Sequence, residues 1–347
     1  MLERLLIVGL GSIGTRHARL AREVVPKAQI VALRHRGGSS TAPGIDRCVT
    51  SLDDALELRP QAAVIANPAS HHLRMALPLA EAGVHLLIEK PISSTIQGVA
   101  ELLGVCQALR LTLVTGYNLR HLPSLQRFRL LLQEGQVGRV LSVRAEVGQF
   151  LPTWRPGVDY RQTVSAKDEL GGGVLLELSH EVDYLRWLFG EVEWVSATQC
   201  RQSRLEIDVD DTSHLVIGFA QRSGGSPVVA AVNMDCIRHD TTRTCTVIGE
   251  TGSLRWNAIA GTVEVFEQGG ESWTTMFTDH SERDASYLAE WRDFLSCITT
   301  GQPPVVSGHD GMAVIRLIEA ARRSSETGSV VTVGSPGGRR EGVRAIT

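Results

Sequence analysis

Two short stretches carry residue types that could do chemistry. The run HLLIEKP, residues 85–91, is an apolar strand pattern that closes on Glu89, Lys90 and Pro91. The imino acid after Lys90 restricts the backbone, so the chain aims the lysine side chain instead of leaving it to a solvated loop. A lysine in a partly desolvated pocket can exchange a proton near neutral pH, which makes Lys90 a candidate acid–base group. In the second stretch, GLGSIG, Gly9, Gly11 and Gly14 form G-x-G-x-x-G directly after an apolar strand and at the start of a helical pattern. The first glycine allows a tight turn, the second lets the backbone approach a pyrophosphate, and the third lets the helix pack on the strand. The helix start at Ser12 and Ile13 then offers free N–H groups and a partial positive charge to phosphates.

The second strand bears on cofactor choice. A carboxylate at its end would accept hydrogen bonds from a ribose 2′-OH and select NAD. Here IVALRHRGG places Arg34, His35 and Arg36 there instead. Arginine presents a planar fork of donors suited to a 2′-phosphate, which predicts NADP as the preferred cofactor and NAD as the alternative.

These motifs need a scaffold, and residues 1–122 read as one. RLLIVGLG, QIVALR, AAVIANP, HLLIEKP and LTLVTGYN are strand patterns, and helical spacing fills the intervals between them. Continuous apolar strands alternating with amphipathic helices predict a parallel sheet covered on both faces, the doubly wound layout, with ligands at the carboxyl ends of the strands. From 123 to 333 the period changes. RVLSVRAEVGQF, VEWVSATQ, TSHLVIGFA, VVAAVNMDCI, TCTVIGE, SLRWN and TVEVFEQ alternate and follow one another closely, while GGGVLLELSHEVDYLRWLFG reads as one helix. This predicts an α+β second domain with a mostly antiparallel open sheet. Residues 334–347, GSPGGRREGVRAIT, are expected to form a disordered tail.

The totals exclude several classes. A chain of 347 residues with 43% apolar and 21% charged residues is an ordinary globular composition. A formal net charge of −3 without a basic run argues against nucleic acid, and no apolar stretch is long enough for a membrane helix. The start MLERLLIVGL has no signal-peptide pattern, and six scattered cysteines without a CxxC pair read as reduced thiols, so a cytoplasmic location is expected. No clustered metal-ligand spacing and no G-x-S-x-G elbow occurs, so no metal is expected.

The stretches GLGSIGTRHA, IANPASHH, EAGVHLLIEKP, VTGYNLRHLP and GGGVLLELSHEVDYLRWLFG together resemble the glucose–fructose oxidoreductase / inositol dehydrogenase / MocA family, from residue 5 to about 333. The resemblance implies that Lys90 reaches both substrate and nicotinamide edge, that the Lys90–Pro91 peptide is cis, and that the open sheet forms a homodimer or homotetramer. It also implies an acidic residue and a histidine four apart on one helix, with an aspartate three further on. His180 and Asp183 match the last two, whereas the acidic residue, Glu177, stands only three before His180. Spacings of three and four share a helical face, so a catalytic set of Lys90, His180 and Glu177 is expected, with His180 also toward substrate and Asp183 either toward substrate or a hydrogen-bond partner that orients the helix. By the same resemblance Asn67, Pro68, His72, Glu89 and Asn118 border the cofactor, and Tyr117 borders nicotinamide or substrate. In LPTWRPGVDYRQT, Trp154, Arg155, Tyr160 and Arg161 offer an aromatic face, cations and a hydroxyl, a mix that suits a polar sugar. The expected activity is hydride transfer between a nicotinamide and a secondary alcohol of a sugar, cyclitol or nucleotide sugar. Two other readings stay open: a dinucleotide-binding regulator without chemistry, and an enzyme that recycles tightly bound cofactor.

Overall fold

The computed structural model describes residues 2–34, 43–220 and 227–334. In chain order the elements are β1 (Arg4–Val8), α1 (Ser12–Val24), β2 (Gln29–Leu33), β3 (Arg47–Val49), α2 (Leu52–Glu57), β4 (Ala62–Ile65), α3 (His72–Glu81), β5 (His85–Glu89), α4 (Val99–Ala108), β6 (Leu113–Gly116), α5 (Pro123–Gln133), β7 (Val140–Gly148), α6 (Val174–Glu177), α7 (His180–Phe189), β8 (Val192–Cys200), β9 (Thr212–Phe219), β10 (Val229–Asp235), β11 (Thr242–Gly249), β12 (Gly252–Asn257), β13 (Thr262–Glu267), β14 (Thr274–Thr278), α8 (Ala285–Thr300), α9 (Gly308–Thr327) and β15 (Val331–Thr332). The tail expected to be disordered falls, after Gly334, outside the described residues.

The first sheet has six strands in the order β3-β2-β1-β4-β5-β6, all parallel. The order reverses between β2 and β4 around β1, which opens a crevice beyond the strand ends there. Side chains alternate across the sheet. Leu5 and Ile7 pack with Leu20, Ala21, Trp291 and Phe294 on one face, and Leu6 and Val8 join the larger core on the other. The apolar runs are continuous because both faces are covered. Helix α8 thus buries Trp291 and Phe294 on the first sheet although it comes late in the chain. Helix α9 also reaches it: Thr115 Oγ1 donates to Ser307 O, and a Cβ at Gly311 would press on Thr115 and Ile92.

The second sheet has nine strands in the order β14-β13-β12-β11-β7-β10-β9-β8-β15. All neighbours are antiparallel except β7 with β10. Its inner face buries Val143, Ala145, Val232, Met234, Cys245 and Trp256. The outer face carries a register row of Val216, Ala231, Arg144, Thr246, Arg255 and Glu264.

The stretch GGGVLLELSHEVDYLRWLFG, expected as one helix, is two. Helix α6 ends at Glu177, α7 starts at His180, and Leu178 between them has φ −102° and ψ 22°. The cause is local: Ser179 Oγ donates to Leu176 O at 2.9 Å, a side-chain bond that competes with the helical ladder. Glu177 and His180 therefore do not share one helical face.

Candidate active site

The glycine loop is built as a cradle. Gly9 has φ +88°, and a Cβ there would lie 2.9 Å from Asn67 N. A Cβ on Gly14 would lie 2.0 Å from Gly9 O, whereas one on Gly11 would meet nothing within 4 Å. Gly9 and Gly14 thus close the turn against the end of β4, and Gly11 leaves open space where a pyrophosphate would come against backbone. Among the described residues no side chain caps α1, whose N-cap is Gly11, so the N–H groups around Ser12 and Ile13 face the crevice as an anion site. Asn67 Oδ1 is buried with no partner among the described residues, a polar atom at the rim of the same crevice, and Pro68 turns the chain away from β4 into α3. These features fit a dinucleotide. Arg34 follows β2 and donates its backbone N–H to Val49 O, while Arg36 lies outside the described residues.

Lys90 stands at the end of β5, and the Lys90–Pro91 peptide is cis. Its Nζ donates to Glu177 O at 2.7 Å and lies 3.9 Å from Glu177 Oε2. The two side chains are only 19% and 16% exposed, so the ammonium is largely withdrawn from water. His180 begins α7. Burial, with Lys90 and Arg243 adding positive charge nearby, holds its imidazole well below the ordinary histidine value. His180 Nδ1 is buried without a partner among the described residues. The ring meets the Tyr117 ring edge-on, with centroids 5.5 Å apart. The structure therefore brings Lys90 and Glu177 into contact, with His180 close enough to feel the Lys90 charge, and burial of His180 favours its neutral form.

Several expected site residues face inward instead. Tyr117 is fully buried and its hydroxyl donates to Ser179 Oγ at 3.2 Å, bracing the break between α6 and α7 from below. Asn118 donates to Ser286 Oγ at 2.9 Å and so ties the end of β6 to α8. The His72 ring is 1% exposed, with its nitrogens 2.8 and 2.9 Å from Asn67 O and Pro91 O, a strut between the ends of β4 and β5. Glu89 turns its carboxylate to His17, with Oε1 2.8 Å from Nε2. Asp183, expected toward substrate, makes a two-point ion pair with Arg120 inside the core. The reason is common to all five. Each finds a buried partner on another segment, so its polar atoms are satisfied inside the protein and not in the crevice.

The 149–170 loop is likewise closed on itself. Trp154 Nε1 donates to Gln149 O at 2.7 Å, the Tyr160 hydroxyl accepts from Glu206 N, and Arg161 grips Asp159 and Glu206. Arg155 is exposed. The recess lined by Trp154, Arg155 and Tyr160 holds about 10 Å³, room for one water and not for a sugar ring. The Arg161 fork is occupied by carboxylates, so it is not arranged to receive a substrate anion.

Other groups near the site lay outside the expected set. Arg243 Nε donates to Glu181 Oε1 at 2.8 Å, and its charge reaches His180. The signal was strand parity: in TRTCTVIG, Arg243 shares the inward face of Cys245 and Val247. His17 was a helix residue whose only mark was its place on the buried face with Ala18 and Ala21.

Comparison with known proteins bears on the family and the fold. Residues 4–117 fit the model "Oxidoreductase family, NAD-binding Rossmann fold", and residues 129–333 fit "Oxidoreductase family, C-terminal alpha/beta domain". The chain is 26% identical to a myo-inositol 2-dehydrogenase of Thermotoga maritima, covering 93% of this chain and 96% of that one. It is 25% identical to an inositol 2-dehydrogenase of Rhizobium meliloti, covering 93% and 97%. Among solved structures, a levoglucosan dehydrogenase in complex with NADH superposes with a TM-score of 0.83 at 21% identity, over 96% of this chain and 99% of that one. The WlbA dehydrogenase from Bordetella pertussis in complex with NADH and UDP-GlcNAcA superposes with a TM-score of 0.80 at 22% identity, over 96% and 100%.

Proposed function

The chain belongs to the Gfo/Idh/MocA oxidoreductase family, and from that premise we propose that it transfers a hydride between a nicotinamide and the secondary alcohol or ketone of a sugar, cyclitol or nucleotide sugar. When bound, the nicotinamide dinucleotide supplies the hydride donor or acceptor; the protein supplies alignment and proton handling. In alcohol oxidation the substrate carbon loses its hydride and Lys90 takes the hydroxyl proton; in ketone reduction the Lys90 ammonium returns it to the oxygen. Glu177, through its backbone carbonyl, aims the ammonium. His180, kept neutral, serves as a hydrogen-bonding group that orients the substrate oxygen. The observation that carries this reading is the sheltered Lys90–Glu177 contact at the end of β5, in a domain whose glycine loop is shaped for a dinucleotide. The test is NAD- and NADP-linked turnover against a panel of sugars, cyclitols and nucleotide sugars. A chain that binds dinucleotide but transfers no hydride to any of them would be a regulator instead, and dinucleotide retained through purification would point to internal cofactor recycling.

Cofactor preference is proposed as NADP over NAD, because Arg34 and Arg36 stand where a ribose-binding carboxylate would. Arg34→Asp should shrink or reverse the preference, since a carboxylate repels the 2′-phosphate and accepts from a free 2′-OH. Titration of the unmodified chain with NADH and NADPH checks this; equal or tighter NADH binding sinks it.

The outer face of the second sheet supports a homodimer or homotetramer, since it carries Val216 at 41% exposure amid Ala231 and Thr246, with no helix of the described residues over it. Light scattering at micromolar concentration should report a dimer or tetramer, and a stable monomer would refute the proposal. Six free cysteines support a reducing, cytoplasmic setting. No helix among the described residues is long and apolar enough to cross a membrane.

A further inference from the structure

Beneath Lys90 runs a hydrogen-bond chain that the proton transfer itself does not use. The Trp291 indole donates to His17 Nδ1 at 3.1 Å, His17 Nε2 lies 2.8 Å from Glu89 Oε1, and the Lys90 backbone N–H donates to Glu89 Oε2 at 3.1 Å. An indole N–H only donates, so Nδ1 must accept and the ring proton sits on Nε2, aimed at the carboxylate. Trp291 and His17 are 0% exposed and Glu89 is 7% exposed. Polar groups buried this deeply are costly unless each finds its partner, and here α1, β5 and α8 supply the partners from three distant parts of the sequence. Trp291 and Tyr287 also pack edge-on against the imidazole, with centroids 5.8 and 6.0 Å away, which leaves the ring one orientation.

The chain also decides where a negative charge sits. Burial raises Glu89, while the His17 bond, the Lys90 charge and the Lys90 N–H favour its ionised form. Glu290, on α8 beside Trp291, is the contrast. Neither of its carboxyl oxygens has a partner among the described residues, and burial, with Glu89 and Asp293 adding negative charge, pushes it well above the carboxylate range. Two nearby buried carboxyls resist ionising together, so the charge stays on Glu89. The remaining titratable groups that sense Glu89 are His72, Tyr117 and Tyr287, and burial favours the neutral form of each.

We propose that His17 is a positioning residue for Lys90: it fixes the Glu89 carboxylate, which in turn grips the Lys90 peptide and places one negative charge beside the ammonium. This rests on the reading of Lys90 as the proton-transfer group. His17→Leu removes the donor, and kcat should fall about ten- to a hundredfold while the dinucleotide KM stays within about threefold. His17→Gln can still accept from Trp291 and donate to Glu89, and should restore kcat to within about fivefold of the unmodified chain. Glu89→Gln keeps the shape and removes the charge. With the panel sugar that turns over fastest, the acidic limb of its kcat/KM profile in oxidation should move to lower pH, because a negative charge near the transferred proton is gone. A purely structural role would lower the melting temperature and leave that limb in place; an unmoved limb overturns the proposal, as does a dinucleotide KM that rises in step with the loss of kcat. Should His17→Leu fail to fold, the Gln variants decide. A second arm needs no turnover: in the ¹⁵N-histidine-labelled full chain, the signal that His17→Gln removes should report a ring whose Nδ1 accepts and whose Nε2 carries the proton, and an Nδ1–H ring overturns the proposal. If the unmodified chain transfers no hydride to any panel sugar, the enzymatic reading fails on its own, and this arm still decides the hydrogen-bond chain.

Discussion

Lys90→Ala is expected to bind dinucleotide within a few-fold of the unmodified chain and to turn over roughly two to four orders of magnitude more slowly, the usual scale for a lost acid–base group. The separation follows from geometry. The cradle made by Gly9, Gly11 and Gly14 is formed by backbone and holds phosphates without Lys90, whereas the lysine is held by Glu177 O at 2.7 Å on the substrate side. Lys90→Arg should not rescue turnover, because a guanidinium stays protonated and cannot take the hydroxyl proton. His180→Ala should slow turnover less, since a neutral imidazole orients an oxygen and does not carry the proton. If the two act as one unit, the double variant loses much less than the product of the single losses. Glu177→Gln should change little: the short contact to Lys90 comes from the backbone carbonyl, which the substitution keeps, and the carboxylate stands off at 3.9 Å. Retention of most turnover in Lys90→Ala would sink the assignment. So would loss of dinucleotide binding, because the end of β5 would then be structural.

The backbone part of this site was legible in sequence and the side-chain part only partly so. Gly9, Gly11 and Gly14 announce their roles because a turn, an approach and a packing contact each exclude other residues, and the clashes an added Cβ would make at Gly9 and Gly14 are those exclusions. The parallel sheet was legible because strands covered on both faces are apolar throughout, as at Leu5, Leu6, Ile7 and Val8. Direction was not legible. Glu89, Tyr117, Asn118 and His72 all stand near strand ends, and spacing alone cannot say which of them turns toward the crevice and which toward the core. That choice depends on partners far away in sequence: His17 for Glu89, Ser179 for Tyr117, Ser286 for Asn118. The break after Glu177 was hidden for a similar reason, since a single serine hydroxyl bonding back to Leu176 interrupts a pattern whose apolar periodicity reads straight through.

Asp183→Ala is expected to be strongly destabilising, by roughly 3–5 kcal/mol, the usual cost of removing one partner from a buried ion pair. At this chain length that corresponds to a fall in melting temperature of about 4–7 °C. Asp183 is 0% and Arg120 3% exposed, and the pair is two-pronged, with Nε to Oδ2 at 2.9 Å and Nη2 to Oδ1 at 2.6 Å. Burial alone pushes the Asp183 carboxyl up, and the Arg120 charge opposes it. The ion pair therefore adds little net stability over an apolar pair, and the cost of breaking it is the charge left behind. Without Asp183, the guanidinium would keep only Asp310 at 3.2 Å, the Val305 carbonyl and the Trp187 ring. Asp310 is already shared, since Arg186 holds the same oxygen at 2.6 Å and Ser307 uses the other in the cap of α9. Arg120 would be a cation in the core between β6 and α7 with half an anion to answer it. Replacing both partners, Arg120→Met with Asp183→Leu, should recover much of the loss, because no uncompensated charge remains. A substrate-binding Asp183 would behave oppositely: Asp183→Asn would leave the melting temperature unchanged and raise the substrate KM. Thermal unfolding of the three variants, with KM measured on the panel sugar, separates the two roles, and an unchanged melting temperature in Asp183→Ala would return this residue to the substrate side.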